Sequence, residues 1–119
     1  MRDFRELKVW QRSMGIARLS YKLSDSLPAD ERYGLVDQIR RSAVSIPSNI
    51  AEGSGRDTPK EFARFLRIAY GSACELETQV LIARDTRGDT EEIVPVIAGE
   101  LEEIRRMMFA LIQQLKSDR

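Results

Sequence analysis

Side chains that could do chemistry are few in this sequence, and their spacing is poor for catalysis. The single cysteine, Cys74, has no histidine anywhere in the chain to activate it. A thiol without such a base is a weak nucleophile, so Cys74 reads as a small buried hydrophobe beside a core stripe. Glu52, Glu75 and Glu77 are carboxylates of the kind that serve acid–base or metal chemistry. Two-metal sites in helical bundles draw on Glu-x-x-His pairs, which a histidine-free chain cannot supply. Interhelical ion pairing is therefore their expected role, with Arg40 and Arg41 as partners. Ser45, Ser48 and Asn49 surround Pro47 and are placed to re-satisfy backbone groups there. Gly53-Ser54-Gly55-Arg56 precedes a helix but lacks the GxxxxGK(S/T) pattern of a phosphate-cradling loop. No catalytic residue, metal, cofactor or small-molecule substrate is implied.

Arginine is the other chemically loaded residue. It supplies 15 of the 19 positive side chains, against 4 lysines. Its planar fork pairs equally well with carboxylates and with phosphates. Arg56, Lys60, Arg64 and Arg67 crowd the start of one helical segment, and the last three span two turns of one side. Such a strip fits phosphate contacts, although Asp57 and Glu61 dilute it. Tyr33 and Trp10 are aromatic enough to stack on bases, and both also fit as packing residues. Residues 1–56 carry 10 basic and 7 acidic side chains, whereas residues 88–119 carry 4 and 7. That drift matches either salt-bridged helices or two faces of a self-associating subunit.

The elements that must position these residues follow from composition and period. The chain has 119 residues, 42% hydrophobic and 32% charged, which suits one globular domain over 1–119. No apolar run approaches the roughly 20 residues needed to span a bilayer. The N-terminal MRDFRELKVW has no apolar signal region, and a lone cysteine fits a reducing cytosol, so a cytoplasmic location is expected. Leu7, Trp10, Met14, Ala17 and Tyr21 step by threes and fours and predict one face of a first helix, widened by Val9, Ile16 and Leu23. Leu27-Pro28 ends it. Leu35, Ile39, Ala43, Ile46 and Ile50 predict a second helix, kinked but continuous at Pro47 and stopped by Gly53-Ser54-Gly55. Thr58-Pro59-Lys60-Glu61 is a helix-start signature for a third, with core positions Phe62, Phe65, Ala69, Ala73, Leu76, Val80 and Ala83 and a stop at Gly88. Arg84 and Arg87 suit its negative end. A fourth begins near Thr90, with Pro95 in its first turn, and carries Ile97, Leu101, Ile104, Met108, Leu111 and Leu115. Short connections make neighbours antiparallel, giving an all-α, up-and-down four-helix bundle.

The third and fourth helices are more apolar than one bundle face requires. Leu66, Ile68, Tyr70, Leu81 and Ile82 flank one stripe, and Met107, Phe109 and Ile112 the other. The surplus predicts self-association, with Leu66, Tyr70, Phe109 and Ile112 as candidate interface residues. Gly71-Ser72-Ala73-Cys74 is a run of small residues that predicts a close helix–helix approach.

Three stretches carry a family resemblance: FRELKVWQ at 4–11, ERYGLVDQIRRSAVSIPSNIAEGSGR at 31–56 and KEFARFLRIAYGSACELETQVLIARD at 60–85. Together they resemble the four-helix-bundle family named for the protein encoded in 23S rRNA intervening sequences. The resemblance implies a small bacterial bundle that assembles as a homopentamer and has no established enzymatic activity. That family is similar to the accessory variability proteins of diversity-generating retroelements, which are pentameric, basic and bind nucleic acid and a reverse transcriptase. The partners so implied are other copies of the chain and an RNA or nucleoprotein. This sequence departs from the accessory proteins in its zero net charge.

Overall fold

The computed structural model describes residues 3–86 and 90–118. Four helices make up the fold: α1 (Lys8–Ser26), α2 (Leu35–Ser54), α3 (Pro59–Thr86) and α4 (Ile93–Ser117). Short 3-10 turns at Phe4–Glu6 and Ala29–Glu31 precede α1 and α2. The bundle measures 47 × 22 × 20 Å. Its helices form a closed ring in which α1 packs on α2, α2 on α3, α3 on α4 and α4 on α1. Contacts run in opposite senses along neighbours. Ser24 meets Arg40 across α1 and α2, while Ala17 and Trp10 share a groove with Val44 and Ala51. Across α2 and α3, Gly53 meets Phe62 and Ser45 meets Ser72. Across α3 and α4, Glu77 meets Arg105 and Arg67 lies near Lys116.

Buried apolar side chains from all four helices join in one cluster. The predicted stripes of α2 and α3 are buried throughout, as are Ile97, Leu101, Ile104, Met108 and Leu115 of α4. The start of α3 forms as its sequence predicts, with Thr58 Oγ1 accepting from the Glu61 N–H at 3.1 Å. Pro95 is the third residue of α4, where a missing N–H costs no helical bond. The expected stop at Gly88 and the role of Arg87 lie outside the described residues.

The face of α1 differs from its apolar pattern. Its fully buried positions are Val9, Ser13, Ile16, Ser20, Leu23 and Ser24, and Tyr21 is 41% exposed. Serine is tolerated there because each hydroxyl donates back to its own helix: Ser13 to the Trp10 carbonyl at 2.7 Å, Ser20 to Ile16 at 2.8 Å and Ser24 to Tyr21 at 2.9 Å. Three small polar residues thus sit in the core with their polarity discharged locally. Trp10, Met14 and Ala17 are turned to the flank of the helix, half-buried against α2.

Helix α2 continues past Pro47 and ends within the predicted Gly53-Ser54-Gly55 run, with Gly53 in its last turn and Gly55 at its C-cap. The Asn49 side chain donates to the Ser45 carbonyl at 2.8 Å across the Pro47 turn. Gly53 also serves a close approach: a Cβ there would stand 2.6 Å from the Cβ of Phe65. The small-residue run in α3 divides. Ser72 and Ala73 face the core, and Ser72 shares a hydroxyl hydrogen bond of 2.8 Å with Ser45. Gly71 and Cys74 face outward, so Cys74 is an exposed thiol and not a buried hydrophobe.

Candidate nucleic-acid interface and outer grooves

The basic strip at the start of α3 is held in two different ways. Phe65 occupies its centre, with the Arg56 and Arg64 guanidinium carbons 4.9 and 4.6 Å from the ring centroid. Each is also tied to an acid on its own helical turn: Arg56 to Glu52 at 2.7 Å, Arg64 to Glu61 at 3.1 Å. The hydrogen bond from Arg64 holds the Glu61 carboxyl below the usual glutamate range, outweighing the opposing effect of desolvation. Lys60 and Arg67, seven residues apart on the same side of α3, form no ion pair among the described residues, although Lys60 adds to the positive field that holds Glu61 ionised. Among the described residues the four cations therefore contribute two ion pairs and two cations without one, of which Lys60 shares the field of Glu61.

Arg67 does not stand with the other three alone. It lines a groove of about 350 Å³ between α3 and α4, with Tyr70, Phe109, Ile112, Gln113 and Lys116. Three of the four predicted interface residues are here. Phe109 is 57% exposed and Tyr70 half-buried, whereas Ile112 is buried and belongs to the core cluster that floors the groove. The fourth, Leu66, is wholly enclosed in the core and takes no part in any outer surface. Its burial reflects the width of α3's core face, because α3 must fill space against both α2 and α4.

A second outer groove lies between α1 and α2. Trp10, Met14, Ala17, Val44, Pro47, Ser48 and Ala51 line it, again about 350 Å³, without one charged side chain. The periodic signal that marked Trp10, Met14 and Ala17 as core is the signal of this groove. Only the buried serines of the true core face distinguish the two readings.

Of the residues predicted to form interhelical ion pairs, all but Glu75 pair with other partners. Arg40 bonds Asp25 at 2.6 Å and Ser24 at 2.8 Å, bracing α2 on α1, and lies over Tyr21. Arg41 reaches one turn along its own helix to Asp37 at 3.1 Å. Glu77 pairs with Arg105 across α3 and α4, half-buried. Glu75 has no ion-pair partner among the described residues. Arg40 and Arg41 thus do not pair with Glu52, Glu75 or Glu77. Glu77 projects toward α4, and Glu52 lies farther along α2 beside Arg56. A further interhelical pair, Arg12 with Glu100 at 2.8 Å, ties α1 to α4. Among the described residues no three His, Cys, Asp or Glu side chains are grouped to hold a metal ion. None of the described helices is long and apolar enough to cross a membrane.

Comparison with known proteins bears on most of the chain. A family model described as 23S rRNA-intervening sequence protein matches residues 5–110. A solved protein of unknown function from Bacteroides thetaiotaomicron, placed in the S23 ribosomal protein family, is similar at 27% identity and a TM-score of 0.77. The likeness covers 87% of this chain and 97% of that one. No functionally curated protein matches the chain.

Proposed function

The chain belongs to the family of 23S rRNA-intervening sequence proteins, and from that premise we propose a non-catalytic scaffold that assembles as a homopentamer and binds RNA or a nucleoprotein. The uncharged α1–α2 groove is the surface that suits contact between copies, being apolar and lined by Trp10, Met14 and Val44. The cationic surface beginning at Lys60 and Arg67 is the one that suits phosphate.

One observation carries the choice of RNA over a purely structural or protein-binding oligomer. If the arginines served only to hold helices together, Arg40, Arg41, Arg64 and Arg67 would all be spent on acids. Arg40, Arg41 and Arg64 are so spent, and Arg67 is not. Among the described residues it has no ion-pair partner, and it lines a groove with the exposed Phe109 and a second cation without one, Lys116. Such an arrangement costs a stable fold nothing to avoid, and it is what a polyanion requires.

Two measurements test the proposal. Sedimentation equilibrium is expected to give a pentamer, and a clean monomer at micromolar concentration refutes the assembly. Fluorescence anisotropy with a structured RNA is expected to give binding at low salt that weakens steeply at moderate salt. Absence of binding at low salt refutes the RNA reading and leaves the structural oligomer.

A further inference from the structure

The groove between α3 and α4 combines features that neither a core nor a salt-bridged surface needs. Tyr70, Phe109 and Ile112 give it an apolar floor with two aromatic rings, and Phe109 is left 57% exposed. Arg67 and Lys116 rim it without acidic partners among the described residues. The two arginines of α4 that precede Phe109 are already committed, Arg105 to Glu77 and Arg106 to Glu102 and Glu103. Gln113 adds an amide, which both donates and accepts hydrogen bonds. The volume of about 350 Å³ is at the lower end of small-ligand sites.

We infer that this groove is a binding site for unpaired RNA nucleotides, the bases stacking on Phe109 and Tyr70 while Arg67 and Lys116 take the flanking phosphates. The inference rests on the RNA reading above and narrows it to single-stranded substrate. Single strands are held where a cationic groove runs beside exposed aromatic faces, because every base has a face to stack. A duplex buries those faces in its own stack and cannot offer them to Phe109. Lys60, one α3 repeat away from Arg67, continues the cationic track toward the helix start. Gln113 is positioned beside the rings, where a base edge would need a partner of either hydrogen-bonding sense.

The test uses the full chain in its native assembly state and a fluorescent, unstructured oligoribonucleotide of about ten nucleotides, within the range one such site accommodates. The same strand annealed to its complement is the comparison. The single strand is expected to bind more tightly than the duplex. Phe109→Ala is expected to weaken single-strand binding roughly tenfold. The double variant Arg67→Gln/Lys116→Gln is expected to flatten the salt slope by about 1.4, or about 0.7 per lost phosphate contact. Arg32→Gln, in the α1–α2 connection, is expected to bind as the parent does. Phe109 is exposed, so its truncation leaves helicity unchanged, which circular dichroism checks.

Wild-type binding that Phe109→Ala and the double variant leave unaltered would overturn the groove and spare the RNA reading. Binding to duplex alone would overturn it likewise, as would equal displacement by an acidic peptide. Loss of binding together with dissociation of the assembly would overturn it in favour of an interface role for Phe109. No binding by the parent to either RNA at low salt would sink both readings together.

Discussion

Replacing Gly53 by alanine tests how the bundle is spaced. An added Cβ would lie 2.6 Å from Phe65 Cβ, 3.0 Å from Phe62 Cδ1 and 3.3 Å from the Phe62 carbonyl oxygen. Carbon atoms settle at roughly 3.5–4.0 Å, so the first contact is short by about 1 Å. The ring of Phe62 can turn slightly. The Cβ of Phe65 cannot, because it is bonded to the α3 backbone, so α2 and α3 must move apart. Separation of even half that distance forfeits a quarter or more of the local dispersion energy along the contact. Overpacking of this kind costs about 1–3 kcal/mol, and the rigidity of the struck atom places it toward the upper end. Alanine recovers about 1 kcal/mol of helix propensity over glycine. The net expectation is destabilisation by about 2 kcal/mol.

Gly71 is the internal control, since it too lies within a helix but a Cβ there meets nothing within 4 Å. Gly71→Ala is expected to stabilise by about 0.5–1 kcal/mol. Denaturant unfolding at fixed protomer concentration measures both, because assembly makes apparent stability depend on concentration. The reasoning fails if Gly53→Ala is as stable as the parent while Gly71→Ala shows its gain. Gly53 would then be tolerated by a mobile contact, and the Phe65 position that supports Arg56 and Arg64 would be loose as well.

Two further outcomes are expected. Leu76 is fully enclosed, so Leu76→Ala should destabilise by about 2–5 kcal/mol in the same assay, and an effect below about 0.5 kcal/mol would mean its helix face is misassigned. Glu61 is held ionised below the ordinary glutamate range by Arg64, so the support it lends to the start of α3 is complete above that range. That support is lost as pH falls through the depressed value. In a carboxyl NMR titration the Glu61 midpoint should rise in Arg64→Gln, and an unchanged midpoint would remove the pair from the account.

Much of the fold is legible in the sequence because apolar period and core face coincide in three of four helices. Leu35 to Ile50, Phe62 to Ala83 and Ile97 to Leu115 are buried where their spacing puts them, save that Leu111 is half-buried and Ile112 takes the core place beside it. Helix α1 is the exception with a physical cause. Its core face mixes Val9, Ile16 and Leu23 with Ser13, Ser20 and Ser24, whose hydroxyls bond to their own helix. A more strongly apolar face, Trp10 to Tyr21, points elsewhere, and hydrophobicity alone ranks it first. Leu66 illustrates the converse. Surplus apolar residues beside a stripe announce either a wide core or an interface, and only the neighbouring helices decide between them. Ion pairing was the least legible feature, because partner choice depends on how far one helix slides along the next. That offset sends Arg40 to Asp25 and Glu77 to Arg105.

The balance of 19 basic and 19 acidic side chains describes the chain as a whole and conceals how its surface is divided. Pairs such as Arg41 with Asp37, Arg56 with Glu52 and Arg106 with Glu102 cancel within a turn of helix. Arg12 with Glu100 and Arg105 with Glu77 cancel across helices. Potential then arises wherever charges are left over, since a paired ion contributes little beyond a Debye length. Among the described residues Arg67 and Lys116 are left without an ion pair at the end of the bundle where α3 begins and α4 finishes, and Lys60 there shares Glu61 with Arg64. Asp57 and Asp118 are at the same end, on the last residues before α3 and after α4, so the excess there is local and small. A site of that strength would hold short anionic segments reversibly and depend on aromatic stacking for the rest. Zero net charge is therefore compatible with RNA binding at one groove and incompatible with coating a duplex. It turns the question of partner into a question about Phe109.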